Sequence, residues 1–234
     1  MPERVHTPEL MDDPALPSAE HVHALHALAR VNRLSLAGAR VWREVLELHG
    51  ERRGQVRVLD VACGGGDVLR DVARRARRAR LAVALHGCDL SMVGLEEMVG
   101  ERSGDAELAF FRLDALRDEL PRGYDLICAS LFLHHLEDAA AGNLLRRMSE
   151  ATAYRVLIQD LRRSRVGYAL AWAALRVLTT SRVARSDGPT SVRAAFTLPE
   201  AERLCREAGL AGAEVRACWP QRFTIRWRRT QARA

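Results

Sequence analysis

The chain has 234 residues, and its 36 basic residues exceed its 30 acidic ones, which leaves a net charge of +6 at neutral pH. Every basic residue is an arginine, because the sequence contains no lysine. A hydrophobic content of 48% with 28% charged residues is typical of one globular domain with an appendage, and it excludes a disordered, collagen-like or coiled-coil chain.

The first 54 residues are predicted to form an N-terminal helical cap. Ser18 is a suitable N-cap residue, and apolar residues from Leu25 onward recur at helical spacing. A second helix is predicted from Leu36 to His49, ending before Gly50. Residues 55–234 then form the main domain.

From residue 55 onward, short apolar segments alternate with helical ones. The predicted strands are 56–62, 81–89, 106–114, 124–131 and 154–160, with helices after the first strand, from Ser91, and over 138–152. Strands that are apolar throughout and alternate with helices indicate a parallel sheet covered on both faces. Segments 213–219 and 221–227 instead alternate apolar and polar residues, which predicts an antiparallel edge hairpin. The predicted fold is therefore a doubly wound α/β fold with a mostly parallel seven-stranded sheet.

A glycine-rich loop follows the first predicted strand, in the segment DVACGGGD (60–67). In open α/β sheets ligands bind outside the carboxyl ends of the strands, and glycines let a ligand approach the backbone. Leu69 replaces the last glycine of a dinucleotide fingerprint, and no Gly-Lys-Ser/Thr follows as in a P-loop. Asp60, directly before the loop, suits a ligand with an ammonium group.

The next two predicted strands also end in aspartate, at Asp89 and Asp114. A carboxylate accepts two hydrogen bonds, so Asp89 is suited to a ribose diol and Asp114 to an exocyclic amine. The alternative is that each aspartate only caps the helix that follows it. Both interpretations stay open at this stage.

Four motifs together resemble those of class I S-adenosylmethionine-dependent methyltransferases, in particular the ubiquinone and menaquinone biosynthesis enzymes and small natural-product methyltransferases. These motifs are VLDVACGGGD, HGCDLS, FRLDA and YDLICASLFLHHLED, within residues 56–160. The resemblance implies a Rossmann-like fold and S-adenosylmethionine as the cofactor, with Ala62 in place of the first glycine of the family loop. The cofactor-binding residues it implies are Asp60, Ala62, Gly64, Gly66, Asp89, Leu90, Ser91, Met92, Asp114, Ala115 and Ser130.

The end of the fourth predicted strand carries His134 and His135, which by the resemblance border the methyl acceptor. A histidine has a suitable pKa to take a proton from a phenol or enol, so both are candidate catalytic residues. Methyl transfer depends mainly on alignment, however, so a positioning or structural hydrogen bond is the favoured role. The segment lacks the Asn/Asp-Pro-Pro-aromatic motif, which argues against methylation of a nucleobase.

Residues 161–199 are predicted to form a helical lid insert. Val166, Leu170, Ala173 and Val177 recur at helical spacing, and this helix is interpreted as a core helix, a lid or an interfacial membrane helix, with the lid favoured. Residues 186–196 read as a loop because they contain glycine and proline. The candidate substrate-binding residues are His134, Trp172, Ser191 and Arg193.

No metal site is predicted. The cysteines include no closely spaced pair, which favours free thiols, and only His23 and His26 of the cluster at residues 21–26 share a helix face. The arginines after the glycine loop recur every fourth residue, as on a solvated helix face, which argues against nucleic-acid binding. Transient contact with a membrane surface stays open, as do a monomer and a homodimer.

The sequence therefore predicts a cytoplasmic methyltransferase that acts on a lipophilic phenol, quinone or polyketide-type molecule, most favourably on oxygen. The absence of a long apolar run and of a signal peptide supports the cytoplasmic assignment. Alternatives are an RNA or protein acceptor, or a module that binds S-adenosylmethionine without catalysis. A nicotinamide oxidoreductase is disfavoured by Leu69.

Overall fold

A computed structural model of the chain describes residues 3–13, 15–52, 54–91 and 107–230. The strands of its sheet are Val56–Val61 (β1), Val83–Asp89 (β2), Glu107–Arg112 (β3), Tyr124–Ser130 (β4), Thr152–Leu161 (β5), Glu214–Cys218 (β6) and Arg222–Arg228 (β7). Their order across the sheet is β3-β2-β1-β4-β5-β7-β6. Strands β1 to β5 are parallel, and β7 is antiparallel to both β5 and β6. The predicted doubly wound fold and its edge hairpin are confirmed.

Helices cover the sheet on both sides. In the described residues they are Ser18–Leu34 (α1), Ala37–Glu51 (α2), Asp67–Ala79 (α3), Asp138–Ala151 (α4), Arg165–Leu178 (α5), Arg182–Ala194 (α6) and Leu198–Glu207 (α7). The predicted helix that starts at Ser91 falls on residues 92–106, which lie outside the described ranges.

Two separate hydrophobic cores explain why the parallel strands are apolar throughout. Val58 and Leu126 pack with α2 and α3, whereas Leu59 and Ile127 pack with α4 and α7. Consecutive side chains of a strand point to opposite faces, so both faces of a covered sheet require apolar residues. Burial of each such side chain stabilises the fold by about 1.5–3 kcal/mol.

Some of the arginines form ion pairs within the fold. Arg155 on β5 is 1% exposed, and its guanidinium bonds to Glu44 at 2.7 Å and to Glu51 at 2.6 Å, both on α2. Arg226 on β7 pairs with Glu44 at 2.8 Å. These ion pairs tie α2 to the edge of the sheet, so these arginines do not form a basic surface for nucleic acid.

The structure corrects one prediction for residues 161–199. Residues 186–194, predicted to be a loop, lie in α6, where Pro189 and Val192 are buried. Of the three interpretations of α5, the core helix is disfavoured, because Val166 is 58%, Leu170 47% and Val177 86% exposed. Tertiary packing outweighs the low helix propensity of proline and glycine in α6. In the described part of the chain, no helix is long and apolar enough to cross a bilayer.

Candidate active site

The glycine loop lies at the carboxyl end of β1, where the strand order reverses between β1 and β4. Gly64 and Gly66 have φ angles of +52° and +69°, and Ala62 has +53°. A Cβ atom on Gly66 would lie 2.5 Å from the ring of Phe110, so only glycine fits there. Helix α3 begins at Asp67, which brings free backbone N–H groups to the same edge.

Asp89 connects the glycine loop to the end of β2. Its Oδ2 atom accepts a hydrogen bond from the Gly64 N–H at 2.7 Å, and Oδ1 accepts one from the Ser91 N–H at 3.0 Å. An ionised carboxylate has about four lone-pair positions, so two remain for hydroxyl donors. Leu90, the next residue, is 58% exposed, and Met92 lies outside the described residues.

Asp60 is a buried carboxyl group without a cationic partner among the described residues. It is 2% exposed, and the Cys128 Sγ–H bonds to its Oδ1 atom at 3.5 Å. Burial raises the pKa of Asp60 to about 8, the charges of Asp67 and Asp89 add to the rise, and the Cys128 hydrogen bond opposes it. An ammonium group of a ligand would supply the missing positive charge.

The residues of this edge fit S-adenosylmethionine. The buried carboxyl of Asp60 fits its ammonium group, Gly64 and Gly66 put no side chain at the loop, and Asp89 keeps acceptor positions for a ribose diol. We call this part of the molecule, comprising Asp60, residues 62–67 and Asp89, the glycine-loop end.

The Asp114 carboxylate caps a turn at residues 115–117, and not a helix as the alternative predicted. Its Oδ1 atom accepts hydrogen bonds from the N–H groups of Leu116 at 2.9 Å and Arg117 at 3.3 Å. Ala115 is 7% exposed, and its carbonyl accepts from Arg147. The contacts of Asp114 therefore explain its position without a ligand, although an acceptor position for an amine remains.

A second cluster of polar side chains lies at the carboxyl ends of β4 and β5. Ser130 ends β4 and accepts a hydrogen bond from Gln159 at 3.2 Å. Beyond it, His134 is 3% exposed, with its Nδ1 atom 2.6 Å from Oδ1 of Asp160. The His134 N–H also donates to Asp160 at 3.0 Å. Burial favours the neutral ring, but the charges of Asp160 and Glu9 raise the pKa of His134 to about 10.

Residues 3–13 form a strap that reaches this cluster. Glu9 has a side chain only 8% exposed, and its Oε1 and Oε2 atoms lie 3.6 Å from Nε2 of His134 and 3.8 Å from Nε2 of His135. The Nδ1 atom of His135 lies 3.2 Å from Oδ2 of Asp12. We call Glu9, Asp12, His134, His135 and Asp160 the histidine end.

Arg4 holds the strap in place. Its guanidinium donates to the carbonyls of Ala194, at 2.6 Å, and Leu136, at 2.5 Å, and lies 3.9 Å from the ring centroid of Phe196. Farther along the strap, the N–H groups of Leu10 and Met11 donate to the carboxylate of Asp187 on α6, each at 3.0 Å. The strap is thus attached to both the loop after β4 and α6.

Of the three other candidate substrate residues, only Ser191 contacts the histidine end. Ser191 on α6 is 6% exposed and donates to Glu9 Oε1 at 2.6 Å, so it joins the histidine end. Arg193 has an exposed side chain, and its carbonyl accepts from the Val5 N–H of the strap. Trp172 is 48% exposed on α5, where Arg176 stacks on its ring at 3.8 Å.

Sequence reasoning missed Glu9 and Asp160 as site residues. Asp160 had a usable signal, because it lies near the end of a predicted strand in the same way as Asp60 and Asp89. Glu9 had none, since it lies more than 120 residues from the histidines that it faces.

A cavity of about 300 Å³ lies among α1, α2 and α3. Its lining includes Asn32, Asp67 and five arginines, so it borders the first turns of the helix that follows the glycine loop.

The strand order and the glycine loop define the class I methyltransferase fold. Comparison with known proteins agrees: residues 58–155 match the methyltransferase domain family. The chain therefore contains a methyltransferase domain over these residues.

A curated relative is the ubiquinone biosynthesis O-methyltransferase of Neisseria meningitidis serogroup C, 29% identical over 102 residues. This similarity covers 42% of the chain and only 40% of the relative's length.

Two solved structures share the fold. The plantazolicin methyltransferase BpumL, in complex with SAH and a pentazolic desmethylPZN analogue, has a TM-score of 0.63 and 15% identity over 91% of this chain and 97% of its own. An O-methyltransferase family 2 protein from Planctomyces limnophilus, in complex with apigenin, has a TM-score of 0.51 and 18% identity over 74% of this chain and 50% of its own.

Proposed function

We propose that the protein transfers the methyl group of S-adenosylmethionine to an oxygen atom of a lipophilic small molecule of the phenol, quinone or polyketide type. The observation that carries the proposal is the buried Asp60, which lacks a cationic partner among the described residues and lies beside the glycine loop. The curated relative, named for O-methylation in ubiquinone biosynthesis, and the neighbour bound to apigenin support the choice of acceptor class.

The residues of this chain bind and orient the two reactants. When bound, S-adenosylmethionine supplies the electrophilic methyl carbon. Asp60 holds the ammonium group of the cofactor and Asp89 its ribose, so that the position of the cofactor relative to β4 is set before the acceptor arrives. At the histidine end, His134 is fixed by Asp160 and acts as a positioning residue, while the ring of His135, 20% exposed, is the more accessible to an acceptor hydroxyl.

The proposal is tested by incubating the full chain with methyl-labelled S-adenosylmethionine and a panel of phenols and hydroquinones. We expect labelled methyl ethers together with an equal amount of demethylated cofactor. Asp89→Ala serves as the binding-deficient control and should remove the product. A C-methylated or N-methylated product would refute oxygen as the target, and tight cofactor binding without turnover on the whole panel would favour a binding module.

We further propose that α5 contacts an anionic membrane surface in which a lipophilic acceptor is dissolved. The support is its exposed apolar face, with Val166, Leu170 and Val177 between 47% and 86% exposed. Arginines at positions 165 and 182 begin α5 and α6, and apolar side chains flanked by cations are typical of interfacial helices.

Vesicle cosedimentation tests this contact. We expect binding to vesicles with anionic lipid, weaker binding to neutral vesicles, and a clear loss for Val177→Glu, whose side chain is 86% exposed and not needed for folding. Equal binding of the variant and the natural protein would contradict the proposal.

A further inference from the structure

We propose that Glu9, His134 and His135 form a binding site for a divalent transition-metal ion, with zinc as the ion that their chemistry fits best. Two imidazoles and one carboxylate are a known ligand set of catalytic zinc sites, and hard ions such as magnesium prefer oxygen ligands alone. The sequence predicted no metal site, because the cysteines and the histidines at 21–26 lack a metal-ligand spacing and Glu9 is distant along the chain from His134 and His135.

The distances among the candidate ligand atoms suit one ion. One ligand atom from each of the three residues lies within 4.8 Å of the other two. The Nε2 atom of His134 lies 3.6 Å from Oε1 of Glu9 and that of His135 lies 3.8 Å from Oε2, and both distances are longer than a normal N–H···O hydrogen bond. Zinc bonds of 2.0–2.2 Å at tetrahedral angles place neighbouring ligands about 3.4 Å apart. The side chains therefore need only small shifts to bind an ion.

Each of the three ligands has an outer partner that orients it. The Nδ1 atom of His134 lies 2.6 Å from Asp160, and that of His135 lies 3.2 Å from Asp12. In both rings the Nε2 atom is thereby turned toward Glu9, and the Ser191 hydroxyl donates to Glu9 Oε1 at 2.6 Å. Histidines that bind metals characteristically donate their other N–H to a carboxylate in this way.

The charges also favour a cation. Three carboxylates, those of Glu9, Asp12 and Asp160, face two imidazoles. When an ion displaces the ring proton that Asp160 and Glu9 hold on His134, both rings are neutral, the three carboxylates give the cluster a charge of −3, and a divalent ion reduces it to −1. Three protein ligands leave at least one coordination position for water or for an oxygen atom of a bound molecule.

The inference goes beyond the proposed methyl transfer, because ion binding needs neither cofactor nor acceptor. The full chain is treated with a chelator, dialysed and titrated with Zn²⁺ by calorimetry, and with Co²⁺ by its visible absorption. We expect one ion per chain and the absorption bands of four- or five-coordinate cobalt. Circular dichroism and thermal unfolding establish that each variant is folded.

Variants separate this site from casual binding to surface histidines. Glu9→Gln keeps the shape and removes the charged ligand, and His135→Ala removes a ring; each should weaken Zn²⁺ binding more than tenfold. Asp12→Asn leaves the three ligands in place and should weaken it about tenfold, because it removes only an outer partner. His26→Gln, on the exposed face of α1, is the matched control and should bind as the natural protein does.

Two results would overturn the inference: no Zn²⁺ binding by the natural chain, or binding that Glu9→Gln and His135→Ala leave unchanged. Failure of the methyltransferase proposal is recognised separately, as loss of turnover on every acceptor in a protein that still binds one ion per chain. Conversely, methyl transfer by a chelator-treated chain that binds no ion would support the methyltransferase proposal and overturn the metal site.

Discussion

The glycine-loop end and the histidine end of the sheet differ in whether their buried carboxyl groups have a cationic partner. At the glycine-loop end, the groups acting on Asp60 are a thiol and two further carboxylates, so its carboxyl is left without a cation among the described residues. At the histidine end, Asp160 contacts His134 directly and Glu9 faces both imidazoles. The first arrangement needs a cationic ligand to balance its charge, as we propose, whereas the second already contributes to the stability of the free protein.

The largest effect expected from this contrast is on stability, through Asp160→Ala. Asp160 is 1% exposed and accepts hydrogen bonds from the His134 ring, the His134 N–H and the Leu161 N–H. Its removal leaves these buried donors without their partner, so we expect the free energy of unfolding to fall by about 3–5 kcal/mol. Urea unfolding, monitored by circular dichroism, measures this change in the free energy of unfolding.

Asp138→Ala is the matched control for this measurement. Asp138 pairs with Arg4 and Arg203, but its side chain is 51% exposed. Exposed ion pairs contribute little, so a change below about 1 kcal/mol is expected. Equal losses in the two variants would show that the buried pair is not what stabilises the histidine end.

The next effect is on cofactor binding, through Asp89→Ala. Asp89 orders the loop through the Gly64 and Ser91 N–H groups and is proposed to hold the ribose. Loss of a charged acceptor of two hydroxyls, together with loop disorder, should weaken binding of the demethylated cofactor about 100-fold, or about 2.7 kcal/mol. Calorimetry provides the affinity.

Asp71→Ala provides the comparison for Asp89. Its carboxylate pairs with Arg74 and Arg75 on α3, so it resembles Asp89 in chemistry but is not a proposed cofactor ligand. The affinity of this variant for the demethylated cofactor should change less than threefold. A loss as large as that of Asp89→Ala would mean that general loosening around the glycine loop, and not the ribose contact, weakens binding.

The contrast between the two ends also explains what the sequence could predict. Strands β1, β2, β4 and β5 were predictable because residues such as Val58 and Leu59 are buried on opposite faces, which leaves a continuous apolar segment. The glycine loop and Asp89 were predictable as motif positions because they lie within about 30 residues of one another and each follows a strand directly.

The histidine end was less predictable because tertiary contacts assemble it. Glu9, His134 and Ser191 come from three distant segments, and no periodicity connects them. The same holds for α6, where burial of Pro189 and the contacts of Asp187 with the strap outweigh local signals for a loop. Such contacts depend on packing that a single sequence does not reveal.

The pH dependence of cofactor binding is a smaller effect that distinguishes the two ends. Burial, with Asp67 and Asp89, raises the pKa of Asp60 to about 8 against the Cys128 hydrogen bond, so below pH 8 the free protein holds a proton that an ammonium ligand must displace. Binding then releases a proton, and a higher pH favours it. Affinity should rise by up to about tenfold per pH unit between pH 6 and 7.5.

Asp60→Asn tests the origin of this dependence. The variant should bind more weakly at pH 8 and lose most of the rise, because its amide does not titrate. Calorimetry in buffers of different ionisation enthalpy should also detect less proton release than in the natural chain. An unchanged pH profile in the variant would assign the dependence to another group.

The smallest expected effect concerns the strap, through Arg4→Ala. Arg4 joins residues 3–13 to the carbonyls of Leu136 and Ala194 and to the ring of Phe196. The strap adds no strand to the sheet, so the free energy of unfolding should fall by only about 1 kcal/mol. Local opening of the strap should increase more than global unfolding does. Limited proteolysis should therefore cut within the strap faster, while the core resists cleavage. If cleavage stays at the natural rate, the contacts of Asp187 with Leu10 and Met11 are sufficient to hold the strap, and Glu9 remains at the histidine end without Arg4.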